Sequence, residues 1–346
     1  MRRTFTLFSV LALLLALGPP ATAGGSTPIA MANQVPGPLI GLVTDGGALA
    51  DMGFNEYAWE GVQAGAKAVH GSAEAVVPPA NSEAYAWSIE WFVGRGFDVI
   101  VTVGFLMADA TLTAAHANPD VQFIGLDQFV SDAGAPPNYQ RLVFDEAESG
   151  FLAGMVAATM STTGTIGAVG GMSTIGAVLG FINGYRNGAA WIDSDIDVRV
   201  TYAEDFGRPD LGADAAAGQV EQNADVIFAV AGGTNLGVFG VACGDGVWAV
   251  GVDFDQYLQA PAFQGCILTS AEKRLAKATS LAIQRFAADG LQAGESVNDA
   301  SNGGIGLAPI RNAMTPKSLR DALGTALAGL ADGSIDPCSP TACTTP

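Results

Sequence analysis

Histidine is almost missing from this chain: 346 residues hold two, His70 and His116, and each falls in a stretch of helical period where a solvated surface position is expected. A His-based zinc site and a histidine-activated nucleophile therefore lack their central group. Basic residues are scarce as well, 15 against 34 acidic ones, and the formal charge of −19 repels nucleic-acid phosphates and anionic lipid headgroups. Polymeric nucleic acid is not an expected partner. No G-x-S-x-G elbow and no G-x-x-x-x-G-K-[ST] loop occurs, and Gly167-Ala168-Val169-Gly170-Gly171 lacks the G-x-G-x-x-G spacing. These absences point to a protein that binds rather than catalyses, with no cofactor. Charged residues reach only 14% while hydrophobic ones make up 49%, which excludes a disordered chain and suits parallel strands buried on both faces.

No apolar run reaches the ~20 residues that a membrane-spanning helix needs. One shorter run, Phe5 to Leu17, lies between Met1-Arg2-Arg3 and Pro19-Pro20-Ala21-Thr22-Ala23, the order of a secretion signal cleaved near Ala23. Export to a periplasmic or extracellular setting is the expectation. Arg2-Arg3-Thr4-Phe5 also resembles a twin-arginine signal, so both export routes stay open. No cysteine follows the apolar run to accept a lipid. The four cysteines of an exported chain are expected to pair. Cys243 with Cys266 and Cys338 with Cys343 is the preferred one of three connectivities, because the first couple brackets a strand–loop–strand region and the second closes a short tail loop.

A Gly/Pro/Ser-rich leader covers 24–38, and beyond it short β-branched or apolar runs alternate with stretches of helical period. Strands are expected over 39–44, 75–77, 99–103, 122–126, 140–144, 165–169, 197–202, 226–230, 247–252 and 266–269. Helices are expected over 55–69, 82–95, 107–117, 146–160, 175–191, 209–222, 235–242 and 271–288. Such alternation builds parallel sheets with right-handed crossovers. There are more strands than one compact sheet usually carries, and the pattern restarts near Phe144-Asp145. Two doubly wound lobes follow. We expect 39–144 with about 254–300 in an N-terminal lobe, 145–253 with about 301–335 in a C-terminal lobe, and a tail over 336–346.

Ligands of such sheets sit beyond the carboxyl ends of the strands, so the residues there are the ones to read. After the first strand come Asp45, Gly46, Gly47, Asp51, Gly53, Phe54 and Asn55: glycines for close approach, acceptors at a helix mouth, and a ring. Phe206 follows another strand just before Pro209 opens a helix, well placed to enter a cleft. Gly232-Gly233 turns backbone N–H groups outward ahead of a helix. Asp253 at a strand end can accept from two adjacent sugar hydroxyls, and Lys273 would offset its desolvation.

Together these residues resemble the basic membrane protein family of ABC-transporter solute-binding proteins, which includes purine nucleoside receptors. The similarity runs from about Leu39 to Ala288. It is carried by Thr44-Asp45, Asp51-x-Gly53-Phe54-Asn55 with Trp59-Glu60-Gly61, Ala231-Gly232-Gly233-Thr234, Gly251-Val252-Asp253-x-Asp255-Gln256, and Thr269-Ser270 before Lys273. The resemblance implies a type I periplasmic-binding fold, two Rossmann-like lobes joined by three hinge crossings. It also implies that Phe54 and Phe206 sandwich a base, that Asp253, Lys273 and Gly232 or Gly233 hold ribose hydroxyls, and that Asp45, Asp51 and Asp127, with Asp109 as a further candidate, meet the base edge. The implied activity is capture of a nucleoside, purine preferred, by a monomer that delivers it to a membrane permease. A sugar or furanose cargo, a sensor without transport and a secreted nucleoside-acting enzyme are the alternatives.

Overall fold

In the computed structural model, which describes residues 37–50 and 53–344, the alternating pattern becomes two six-stranded sheets. The chain runs through β1 (Leu39–Val43), α1 (Phe54–Ala68), β2 (Ser72–Val76), α2 (Ser82–Val93), β3 (Val99–Val103), α3 (Ala108–Ala117), β4 (Gln122–Leu126) and β5 (Tyr139–Phe144). It continues with α4 (Glu146–Met160), β6 (Thr165–Gly170), α5 (Gly176–Ile192), β7 (Asp197–Tyr202), α6 (Pro209–Val220), β8 (Val226–Val230), α7 (Asn235–Asp245), β9 (Trp248–Asp253) and α8 (Gln256–Gln259). The last elements are β10 (Ile267–Lys273), α9 (Leu275–Asp289), β11 (Gly294–Asn298), β12 (Ile305–Leu307) and α10 (Lys317–Ala331). The secretion signal expected over 1–23 and nearly all of the expected leader lie outside the described residues.

The sheet orders are β11-β5-β4-β3-β1-β2 and β12-β10-β9-β8-β6-β7, so each half repeats one doubly wound plan. Every pairing is parallel except β10 with β12 at one edge. Parallel strands covered by helices on both faces must be apolar throughout, and Val-Ile-Val-Thr-Val in β3 and Val-Ile-Phe-Ala-Val in β8 are buried at every position. Edge strands β2 and β7 alternate instead.

The chain passes between the sheets three times: from β5 into α4, from β10 into α9, and from β11 to β12. Two expectations need correction here. The helix anticipated over 271–288 begins at Leu275, because Ala271, Glu272 and Lys273 extend β10, paired to β9 on one side and β12 on the other. Sheet pairing on both sides outweighs the helical propensity of an Ala-Glu-Lys-Arg-Leu-Ala-Lys-Ala stretch. The second crossing accordingly follows Lys273 and not a point near 254, so the segment from α8 through β10 belongs with the second sheet. Elements β11, β12 and α10 had no counterpart among the expected ones; they are short or begin without a side-chain cap.

The second lobe's first layer depends on a close helix pair. Almost all of α4 is buried, and its Gly150 and Gly154 face Gly184 and Gly188 of α5. A Cβ on Gly154 would stand 2.0 Å from the Tyr185 carbonyl oxygen, and one on Gly188 would stand 1.9 Å from that of Phe151. Only glycine permits backbones this near one another. Both expected disulfides are formed, Cys243–Cys266 linking α7 to the start of β10, and Cys338–Cys343 closing the tail loop. Both histidines are exposed.

Candidate functional site

The carboxyl ends of both sheets border one cavity of about 470 Å³, within the roughly 300–1,000 Å³ usual for small-molecule sites. Asp45 after β1, Gly104-Phe105-Leu106 after β3 and Asp127 after β4 line it from the first sheet, joined by Phe54 from the first turn of α1. Phe206 after β7, Gly232 and Gly233 after β8, Asp253 ending β9 and Lys273 ending β10 line it from the second. Ile175, Ala177, Val178 and Phe181, at and within the start of α5, complete an apolar wall.

Each side chain is set by its local backbone. Asp45 Oδ1 accepts from the Gly47 N–H at 3.3 Å and from Asn55 Nδ2 at 3.4 Å, while Tyr85 donates to the Asp45 carbonyl at 2.7 Å. Asn55 thus stands behind Asp45 and not in the cavity wall. Phe206 packs against Gly171, where a Cβ would meet its ring at 2.2 Å, and the Thr234 N–H donates to its carbonyl at 3.2 Å. The rings of Phe54 and Phe206 therefore reach one cavity from different sheets.

Asp127 and Asp253 occupy matching places, each at the end of the fourth strand of its sheet, and both adopt left-handed backbone with φ of 52° and 66°. This region is costly for most non-glycine residues, and aspartate is among the few that visit it. A buried glutamine braces each bend. Gln128 donates to Thr102 Oγ1 at 3.0 Å and to the Gly104 carbonyl at 3.2 Å, and Gln256 Oε1 accepts from the Val252 N–H at 2.9 Å. The chain spells the two corners as Gly125-Leu126-Asp127-Gln128 and Gly251-Val252-Asp253-Phe254-Asp255-Gln256.

Lys273 closes the floor. Its ammonium donates to Asp127 Oδ2 at 2.6 Å, lies 2.7 Å from Glu146 Oε1, and sits 5.6 Å and 5.5 Å from the ring centres of Phe144 and Phe181. Burial would pull this ammonium down, but Asp127, Glu146 and Asp253 outweigh it and hold Lys273 above its ordinary value. Burial pushes Asp253 up to about 6 and Glu146 up to about 7, in each case against the opposing pull of Lys273. Asp127 Oδ1 is buried without a hydrogen-bond partner, although Asp127 itself lines the cavity. Such a floor suits a neutral, hydroxyl-bearing ligand, for which it offers charged acceptors and one charged donor.

Of the ten ligand positions expected from sequence, eight line the cavity: Asp45, Phe54, Asp127, Phe206, Gly232, Gly233, Asp253 and Lys273. Asn55 supports from behind, and Asp51 lies outside the described residues. Asp109 is elsewhere, in a surface groove between α2 and α3 beside Glu90, because its place in the first turn of α3 turns it away from the strand ends. Sequence reasoning missed Phe105 and Leu106, although they directly follow β3 and the strand-end rule covers them. It also missed Ile175, Val178, Phe181 and Glu146. In the sequence these are an ordinary apolar helix face and an ordinary acidic residue in a first helical turn, so nothing there sets them apart.

A family model described as "ABC transporter substrate-binding protein PnrA-like" matches residues 39–325. The chain is 33% identical over 226 residues to the ABC transporter nucleoside-binding protein BmpA of Lactococcus lactis, covering 62% of this chain and 63% of that protein. It is 31% identical over 247 residues to basic membrane protein A of Borreliella burgdorferi, covering 70% of each. Among solved structures, an ABC transporter solute-binding protein from Aeropyrum pernix superposes with a TM-score of 0.73 at 21% identity, covering 86% of this chain and 92% of that one. A solute-binding protein from Actinobacillus succinogenes with bound D-allose superposes at 0.60 with 14% identity, over 79% and 97% of the two chains. The fold is thus the type I periplasmic-binding one, and with the family model covering most of its length the chain belongs to the PnrA-like family of ABC transporter substrate-binding proteins.

Proposed function

We propose that this protein captures a nucleoside, purine preferred, between its two lobes and passes it unchanged to an ABC permease. The observation that carries the reading is one cavity with a phenyl ring from each side, Phe54 and Phe206, above a floor of Asp127, Asp253 and Lys273. Aromatic stacking contributes roughly 1–3 kcal/mol per base, and hydrogen bonds to charged groups roughly 1.5–3 kcal/mol each. A base between the rings would place its ribose hydroxyls toward Asp253 and Lys273, and Asp45 would accept from N–H groups on the base edge. Gly232 and Gly233 leave room for a sugar oxygen to approach their backbone. The Lactococcus lactis relative is a nucleoside-binding protein, which supports this reading. The protein works as a monomer outside the cytoplasm, after a signal over residues 1–23 has been removed.

The test is thermal melting of refolded, ligand-free protein with guanosine, inosine, adenosine and free ribose. Ligand at about 1,000 times its dissociation constant stabilises by about 4 kcal/mol, so a cognate nucleoside raises the melting temperature by several degrees. Unmoved melting with all three nucleosides removes the proposal, and a response to ribose alone transfers the site to a sugar. Chromatography of the incubated nucleosides should recover them intact; free base would make the protein an enzyme.

A further inference from the structure

Glu146 does not line the cavity, yet it touches the group on which the floor depends. It is the first residue of α4, immediately past the crossing from β5, and Lys273 is the last residue of β10, immediately before the crossing into α9. Their contact at 2.7 Å therefore ties two of the three crossings together, while the Lys273–Asp127 bond at 2.6 Å ties the second sheet to the first. The floor carries an excess of negative charge. Three carboxylates, Asp127 after β4, Glu146 on α4 and Asp253 on β9, surround one ammonium. Helix α5, packed against Glu146, brings no charge there: Gly180 approaches closely enough that a Cβ would lie 3.3 Å from Glu146 Cβ, and Phe181 presents its ring to Lys273.

We infer that Glu146 is a positioning residue: with Asp127 it fixes the Lys273 ammonium for the ligand, and it takes up a proton when a neutral ligand covers the floor. Covering the floor removes water from a cluster with more carboxylates than cations, which favours the neutral form of one of them. Asp127 and Asp253 are needed as ionised acceptors facing the cavity, whereas protonating Glu146 sacrifices no ligand contact. Its carboxyl, already raised to about 7 by burial, is the one nearest to accepting a proton at neutral pH. The ligand-linked half of this inference rests on the nucleoside reading above; the location of the proton does not.

Two measurements separate them. In ligand-free protein, a folded carboxyl with a raised pKa contributes stability at low pH that is lost as pH rises through about 7. The melting temperature of wild type relative to Glu146→Gln should therefore fall by several degrees from pH 5 to 8, and Glu146→Asp should restore part of the slope. Parallel curves for wild type and Glu146→Gln overturn the inference whatever binds. Glu148 also lies near 7, so if Glu146→Gln does not fold, carboxyl-carbon spectra of wild type and Glu148→Gln decide instead. One near-neutral glutamate titration must survive the loss of Glu148's. With nucleoside, wild-type affinity should weaken about threefold to tenfold from pH 6 to 8 and calorimetry should detect proton uptake, both lost in Glu146→Gln. Binding with the same pH slope in Glu146→Gln also overturns it, whereas absence of nucleoside binding beside diverging ligand-free curves overturns only the nucleoside reading.

Discussion

Replacing Lys273 by methionine removes a charge while nearly preserving shape, and the loss follows from the contacts the ammonium makes. Its Nζ stands 2.6 Å from Asp127 Oδ2 and 2.7 Å from Glu146 Oε1, with the side chain only 3% exposed. Breaking a buried pair from one side costs about 3–5 kcal/mol, because the partner charge stays buried without compensation. At roughly 2–4 °C per kcal/mol, Lys273→Met should melt roughly 6–20 °C below wild type at pH 8. The deficit should shrink at pH 5.5. There, Glu146 (about 7) and Asp253 (about 6) are largely protonated even in the wild type, and losing the lysine raises both further, so less buried charge is left uncompensated than at pH 8. Differential scanning calorimetry at the two pH values measures both quantities. A fall under about 2 °C at pH 8, or an equal fall at both, would show that Lys273 acts by packing alone and refute the electrostatic account of the floor.

Phe206→Ala should weaken nucleoside binding by the stacking contribution of about 1–3 kcal/mol, read by titration calorimetry, while free ribose binding changes little. Gly154→Ala drives a methyl group to within 2.0 Å of the Tyr185 carbonyl. Forcing α4 and α5 apart should cost about 1–3 kcal/mol or more, seen as a lower urea midpoint; an unchanged midpoint would mean that the pair can relax freely.

Much of the fold was legible because parallel sheets write themselves plainly. Strands buried on both faces must be continuously apolar, as Val-Ile-Val-Thr-Val and Val-Ile-Phe-Ala-Val are, and the helices between them carry the other period. Strand ends could be read for the same reason, and Asp45, Phe54, Phe206, Asp253 and the Gly232-Gly233 turn, expected there, line one cavity. Where the period was ambiguous, at Ala271–Lys273, propensity suggested a helix and neighbouring strands made a sheet. The cost of leaving a central strand's edge unpaired exceeds the small preference of alanine, glutamate and lysine for helix.

Sequence by itself determined the two-sheet class, the paired cysteines and the residue types gathered at the strand ends, since these follow from local pattern and composition. Only tertiary structure decided that Phe54 and Phe206 share a cavity, that Lys273 meets Asp127 across 146 positions of chain, and that Glu146 joins them at a crossing. Those contacts depend on how the sheets are set by the crossings and by the glycine-lined pair α4 and α5. An acidic residue in a first helical turn reads the same whether it faces water or a buried ammonium, and only the packing around it tells the two apart.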